Sequence, residues 1–394
     1  TNKPVHTSNE YTEFIVENYV LIMGLFIAFV LFLIIYFTSK TFRVGTNISN
    51  MSVIKNYQEL LMFDYARYGS TKLCDCRILS SYNTSHSGYQ LYDYTSEDMV
   101  LAKLQCGARY LEFNVFNSDY GDKAIPVVSN GYKKGEWKLT LNNTPLEYCF
   151  NIIAKNAFTL RKNNVGVPNP EEPLFIGLNL NTNNNVACLD ILSDIILDYF
   201  RDRLLNNKFG YQQNNRFPEV KINELMEKVI IFSSNGYQGS GMEEIVNYCW
   251  DNINDNKHHN MQRLHYSQLN EVNFNYSKLI DFNKTGITIV VPNKEGDIFS
   301  ENYNPINALR YGCQFVCMNL QNIDQHLDLY VTKFKKSSIL LKPKKLRSAI
   351  RTQSNRNNQQ SGDNNNNDDN NNNDDNNNND NNDNNDNNDN NDNK

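Results

Sequence analysis

The chain has 394 residues, 40% of them hydrophobic, with 21 Phe and 23 Tyr, which is too much apolar material for a wholly disordered protein. The net charge of -6 belongs to one end: residues 357–394 hold 10 of the 44 acidic and 1 of the 38 basic side chains, leaving 37 basic and 34 acidic elsewhere. A near-neutral body carries no basic footprint for nucleic acid, and eight scattered Cys exclude a disulfide scaffold. Cys74/Cys76 and Cys313/Cys317 are the close pairs, and neither has the His or second Cys pair that zinc requires, so all eight read as buried thiols of a reducing compartment.

In chain order, Glu10, Glu13 and Glu17 precede the first element, a run without charge from Asn18 to Ser39. Its 22 residues make about 33 Å of helix at about 1.5 Å per residue, enough to cross a hydrocarbon core. A signal peptide would have a basic start and a shorter apolar run, so the segment reads as a retained transmembrane helix. Lys40, Arg43 and Lys55 follow it and Lys3 alone precedes it, which places residues 1–17 outside and the body on the cytosolic side. Asn-X-Ser/Thr triplets at Asn47, Asn83, Asn142, Asn275 and Asn283 are discounted because an Asn-rich chain makes them by chance.

After a linker or helical stalk over 40–72, short β-rich runs alternate with helical patterns, the signature of a parallel sheet with crossover helices. Eight strands are expected to end near Tyr82, Asn114, Ser129, Asn181, Ser233, Val291, Asn319 and Pro343. Helices are expected over Thr95–Cys106, Leu146–Phe158, Cys188–Leu205, Met242–Trp250 and Ile306–Tyr311. Eight such units over 73–351 are the size of a (β/α)8 TIM-like barrel, an α/β fold, whose chemistry sits at the carboxyl ends of the strands. Residues 333–351 carry eight Lys/Arg and no acid, so Lys335, Lys336, Lys342, Lys344, Lys345 and Arg347 are candidates to face anionic lipid, a solvated barrel rim being the alternative. The Asn/Asp-rich tail over 352–394 has nothing apolar to bury and is expected to be disordered.

Three fragments at the expected strand ends carry a resemblance: Ser80–Leu91 (SSYNTSHSGYQL), Gly107–Asn117 (GARYLEFNVFN) and Pro126–Gly131 (PVVSNG). They resemble the X box of eukaryotic-type phosphoinositide-specific phospholipase C, and Asn302–Gln321 (NYNPINALRYGCQFVCMNLQ) with Leu340–Arg347 (LLKPKKLR) resembles its Y box. The resemblance implies an X part over about 73–235, a linker over about 236–263 and a Y part over about 264–351. It also implies an ancestral chemistry in which the inositol 2-hydroxyl attacks phosphorus, helped by two histidines and a calcium ion.

At the positions this implies, Tyr82 stands for the first histidine and Asn130 for the second; a phenol titrates near pH 10 and an amide does not titrate. Of the implied calcium positions, Asn83 and Glu112 are retained, while Asn114 and Asn181 stand for carboxylates, and one carboxylate predicts weak or no calcium binding. Phe232 and Ser234 stand for paired lysines, and Thr288–Pro292 for the headgroup clamp. His86 is open as a relocated acid, while His258 and His259 read as solvated. The expected function is a membrane-anchored, catalytically inactive phospholipase C-like scaffold or binding module. The alternative is a divergent phosphoric diester hydrolase acting on a membrane lipid. Calcium is expected only if activity remains; the expected partners are the bilayer through residues 18–39 and either anionic headgroups or a protein. The abundance of Asn, Ile, Lys and Tyr suits an AT-rich genome, such as a large DNA virus, with a virion or internal membrane as one location.

Overall fold

A computed structural model describes residues 8–118, 124–132, 137–163, 165–206, 209, 216–251, 260–293 and 301–348. Lys3, His258, His259 and the tail from 349 onward lie outside the described residues. Eight parallel strands form a near-closed barrel: β1 Cys76–Ser81, β2 Tyr110–Asn117, β3 Leu174–Asn181, β4 Val229–Ser233, β5 Tyr248–Cys249, β6 Met261–His265, β7 Ile287–Val291 and β8 Phe315–Met318. They are hydrogen-bonded in the order β6-β7-β8-β1-β2-β3-β4-β5.

Most of these strands are buried on both faces, which is why they read as nearly continuous apolar runs. Alternate residues of β2 serve two cores. Leu111, Phe113 and Val115 pack with the covering helices α2 Glu97–Gln105, α3 Leu146–Asn156 and α4 Val186–Phe200. Tyr110 points inward, where its ring meets Phe315 of β8 at 5.0 Å; Phe175 of β3 and Phe232 of β4 complete the group at 5.1 Å and 5.7 Å from Phe315. These four rings fill the middle of the barrel, so the mouth above them is a shallow floor rather than a channel.

The first helix, α1, is one element of 50 residues, Ser8–Tyr57, about 75 Å long. The sequence places the span over 18–39 and a stalk after it; in the structure the helix runs unbroken from one into the other. Its apolar part is exposed, and Phe14–Tyr57 is long and apolar enough to cross a membrane. Its second half buries Val44, Met51 and Ile54 in the same core as α2. Tyr36 packs edge-on against Tyr94 at 6.1 Å and donates to Leu141 O at 3.0 Å, both in loops at the carboxyl ends of strands. Beyond the helix's end, the amides of Glu59 and Leu61 donate to the carbonyls of Lys335 and Lys336 at the opposite end of the barrel. The helix therefore runs antiparallel to β1, and its apolar half leaves the body on the side of the barrel mouth.

Two expected barrel strands are not in the barrel. Pro126–Val128 pairs antiparallel with β2, and Ile339–Leu341 antiparallel with β1. Their places are taken by β5 and β6, which fall where the sequence suggests a helix, Met242–Trp250, and a linker, 236–263. The reason is local: β5 has two residues, and β6 reads MQRLH, whose inward positions include an arginine, so neither shows the apolar run of a buried strand. Helices Tyr276–Phe282 and Gln325–Lys333 are further elements that the periodicity does not mark.

Candidate active site

The mouth is built from the chain just past the strand ends. After β1 the backbone turns at Asn83, with φ of 38°, a conformation that Asn tolerates better than most residues. The loop that follows is tied down from below by Lys103 of α2, fully buried, whose Nζ donates to Asn83 O at 3.2 Å and His86 O at 3.3 Å. Desolvation lowers this ammonium to about 7. From outside, Asp93 accepts from Ser87 Oγ, the Tyr89 amide and Arg43 Nε, the last at 2.8 Å, so α1 also holds the loop.

Inside the loop Gln90 closes over the mouth. Asn83 Nδ2 donates to Gln90 Oε1, Gln90 Nε2 donates to Asn319 Oδ1 at 2.7 Å, and Asn130 Nδ2 donates to Gln90 O at 2.9 Å. Asn114 Nδ2 reaches Asn130 Oδ1 at 3.2 Å, while Asn179 Nδ2 donates to Asn114 Oδ1 at 2.7 Å. The structure thus brings Asn83, Asn114 and Asn130 into one amide network through Gln90 and Asn319. Asn181 stands apart, its Nδ2 donating to Asn179 O.

Beside this network lies a charged cluster. Glu112, fully buried, accepts from Arg263 Nη2 at 2.7 Å on one oxygen and from Tyr110 Oη at 3.0 Å on the other. Tyr110 can lean across to it because β3 has Gly177 opposite Glu112; a Cβ there would stand 2.2 Å from the phenol oxygen. Arg263 also acts on Tyr82 through its charge, and its guanidinium lies 5.8 Å from the Trp250 ring, joining β6 to the end of β5. Burial pushes the Tyr82 phenol up to about 12. Arg263, Gln90, Asn319 and Trp250 are site residues that the sequence reading misses; an arginine at an inward position of a strand is the one signal that could have marked them.

A calcium ion does not fit these side chains. It requires six to eight oxygens, of which the richest donor here, Glu112, already serves a guanidinium and a phenol. Asn114 Oδ1 and Asn130 Oδ1 accept hydrogen bonds, and Asn83 Oδ1 alone of these is buried without a partner. Among the described residues no three His, Cys, Asp or Glu are grouped to hold a metal.

His86 is fully buried below the loop, its two ring nitrogens without hydrogen-bond partners, and desolvation with Lys103 nearby lowers it to about 3. It therefore stays neutral and is a poor acid at neutral pH. Because the unfolded chain protonates it near 6.5, its contribution to stability is complete above that value and declines as pH falls toward 3. We expect His86→Phe to remove this slope: between pH 7 and pH 5 the parent should lose roughly 2 kcal/mol more than the variant in urea melts, at 1.36 kcal/mol per pH unit.

The basic segment lies at the other end of the barrel. Lys342 is fully buried and donates to Asn283 O at 2.8 Å, with desolvation lowering it to about 8, so it faces no lipid. Lys335 pairs with Glu59 at 3.6 Å and lies over the Tyr57 ring, and Arg347 Nε donates to Lys342 O. Lys336, Lys344 and Lys345 are exposed on the base, away from the end where the apolar helix emerges.

Comparison with known proteins agrees with this architecture. The phosphatidylinositol-specific phospholipase C X domain matches residues 70–235 and the Y domain residues 241–345. The crystal structure of S. officinalis PLC21 is 22% identical, with a TM-score of 0.59 over 72% of this chain and 39% of that one. That of L. pealei PLC21 is 22% identical, with a TM-score of 0.60 over 73% and 39%. At such identity the likeness is one of fold, and this chain spans about two fifths of those structures' length. No curated protein sequence matches. With X and Y domains in order along one barrel, the chain belongs to the phosphatidylinositol-specific phospholipase C family.

Proposed function

We propose that the protein is a membrane-anchored phospholipase C-like barrel that does not hydrolyse lipid and serves at the cytosolic membrane surface as a scaffold or binding module. The observation that carries this reading is the closed mouth. Tyr82 and Asn130, at the positions of the family's histidines, are buried, Asn130 is bonded to Gln90, and neither presents a group that exchanges a proton near neutrality. The path of α1 supports the anchoring: its apolar half leaves the body beside the mouth loops, which keeps the mouth toward the bilayer and the basal lysines away from it. This geometry favours lipid or partner contact through the mouth loops rather than through Lys333–Arg351.

The test is release of inositol phosphate from vesicles containing phosphatidylinositol or its bisphosphate, using the full-length protein with and without calcium. No release above the protein-free blank is expected. Calcium-dependent turnover that disappears in Glu112→Ala would overturn the reading.

A further inference from the structure

We propose that Arg263 is the resident cation of the barrel mouth: its guanidinium holds the Glu112 carboxylate in the place of a divalent metal. The proposal deepens the reading of an inert site and rests on it for context.

A carboxylate with no exposure needs a compensating charge and hydrogen bonds, since leaving it bare in a protein interior is strongly unfavourable. β6 supplies that charge from across the barrel, 151 residues along the chain, at 2.7 Å and with the arginine side chain only 10% exposed. The surroundings are shaped to keep it there. Tyr110 takes the second carboxylate oxygen, and the Trp250 ring lies over the guanidinium. A guanidinium suits this role better than an ammonium, because its planar donors can hold a carboxylate while its face meets an aromatic ring. The other buried cation near the loop, Lys103, is spent on two backbone carbonyls. Against the desolvation that would lower it, the carboxylate of Glu112 holds the Arg263 guanidinium above its ordinary value, so it stays charged at every physiological pH. Calcium would have to evict a covalently tethered cation and then find its remaining ligands among amides already bonded to one another.

Terbium, a calcium mimic whose emission is sensitised by nearby Trp and Tyr, tests this in the full-length protein. Tyr110, bonded to Glu112, and Trp250, beside Arg263, are built-in sensitisers. The parent is expected to give no sensitised emission and a melting temperature that millimolar calcium does not move. Arg263→Met should melt several degrees lower, emit with terbium and regain part of the loss with calcium. Arg263→Met with Glu112→Gln should recover stability and ignore both ions, and Arg263→Lys should fold without taking terbium. Parent emission that Glu112→Gln abolishes would overturn the proposal, as would an Arg263→Met variant that melts like the parent. Lipid hydrolysis by the parent without bound terbium would sink the inert-site reading and leave this inference standing.

Discussion

Replacing Arg109 by Met is expected to destabilise the barrel by about 3–5 kcal/mol, seen as a lower urea midpoint at unchanged slope. Arg109 immediately precedes β2 at the base of the barrel and is fully buried. Its Nη1 donates to Ala157 O at the end of α3 at 2.9 Å, and its Nε lies 3.7 Å from Glu172 Oε2. Glu172 in turn accepts from Asn169 Nδ2, which also donates to Ser338 Oγ, ahead of the antiparallel segment on β1. Arg109 and Asn169, joined through Glu172, therefore tie four segments together below the aromatic floor. Desolvation pushes Glu172 up to about 7, with Arg109 opposing it. Without Arg109 the carboxyl would rise further and take up a proton on folding. The folded state then binds more protons than the unfolded one above pH 4.5, so the variant's deficit should be smaller at pH 5 than at pH 8. A deficit that does not change with pH would mean that packing, rather than charge, is what Arg109 supplies.

The contrast between the two ends of the barrel explains what could be read from the sequence. β2, β3, β7 and β8 are apolar because both faces are covered, so composition alone marks them, and fragments such as PVVSNG and the Asn302–Gln321 run sit at their ends. β5 and β6 escape detection because the mouth needs Trp250 and Arg263 there, and a strand carrying an inward cation has no apolar signature. The positions of Tyr82, Asn83, Glu112, Asn114 and Asn130 are legible for the same reason that the strands are: Tyr82, Asn83 and Asn130 come just after buried runs, and Glu112 and Asn114 lie within one. What joins them is not legible, because Gln90 and Asn319 are 229 residues apart and nothing local in either reveals that they meet. The basic segment divides in the structure: Lys342 is buried, while Lys336, Lys344 and Lys345 are exposed at the end of the barrel opposite the one from which the apolar helix emerges.

The apolar half of α1 yields the other large effect: Leu25→Arg together with Val30→Arg is expected to move the protein from a carbonate-resistant membrane pellet to the supernatant. Between Val20 and Phe37, fourteen residues are Leu, Ile, Phe or Val. At about 0.3–0.6 kcal/mol each, they favour insertion by about 4–8 kcal/mol. Each Arg near the middle costs about 2.5–3.5 kcal/mol and also removes one apolar contribution, so one substitution weakens insertion and two cancel it. The barrel should not notice. Leu25 is exposed and Val30 precedes the first buried core residue of the helix, Val44, by about four turns, so the thermal melt of the body should be unchanged. If the doubly charged variant still resists carbonate, the helix is not what holds the protein to the membrane, and the mouth loops or a partner must do so. If instead it leaves the membrane with its melt intact, then α1 is both a span and a brace. Its first half would hold the bilayer, while Arg43, Val44, Met51 and Ile54 in its second half would fix the mouth at one height above it.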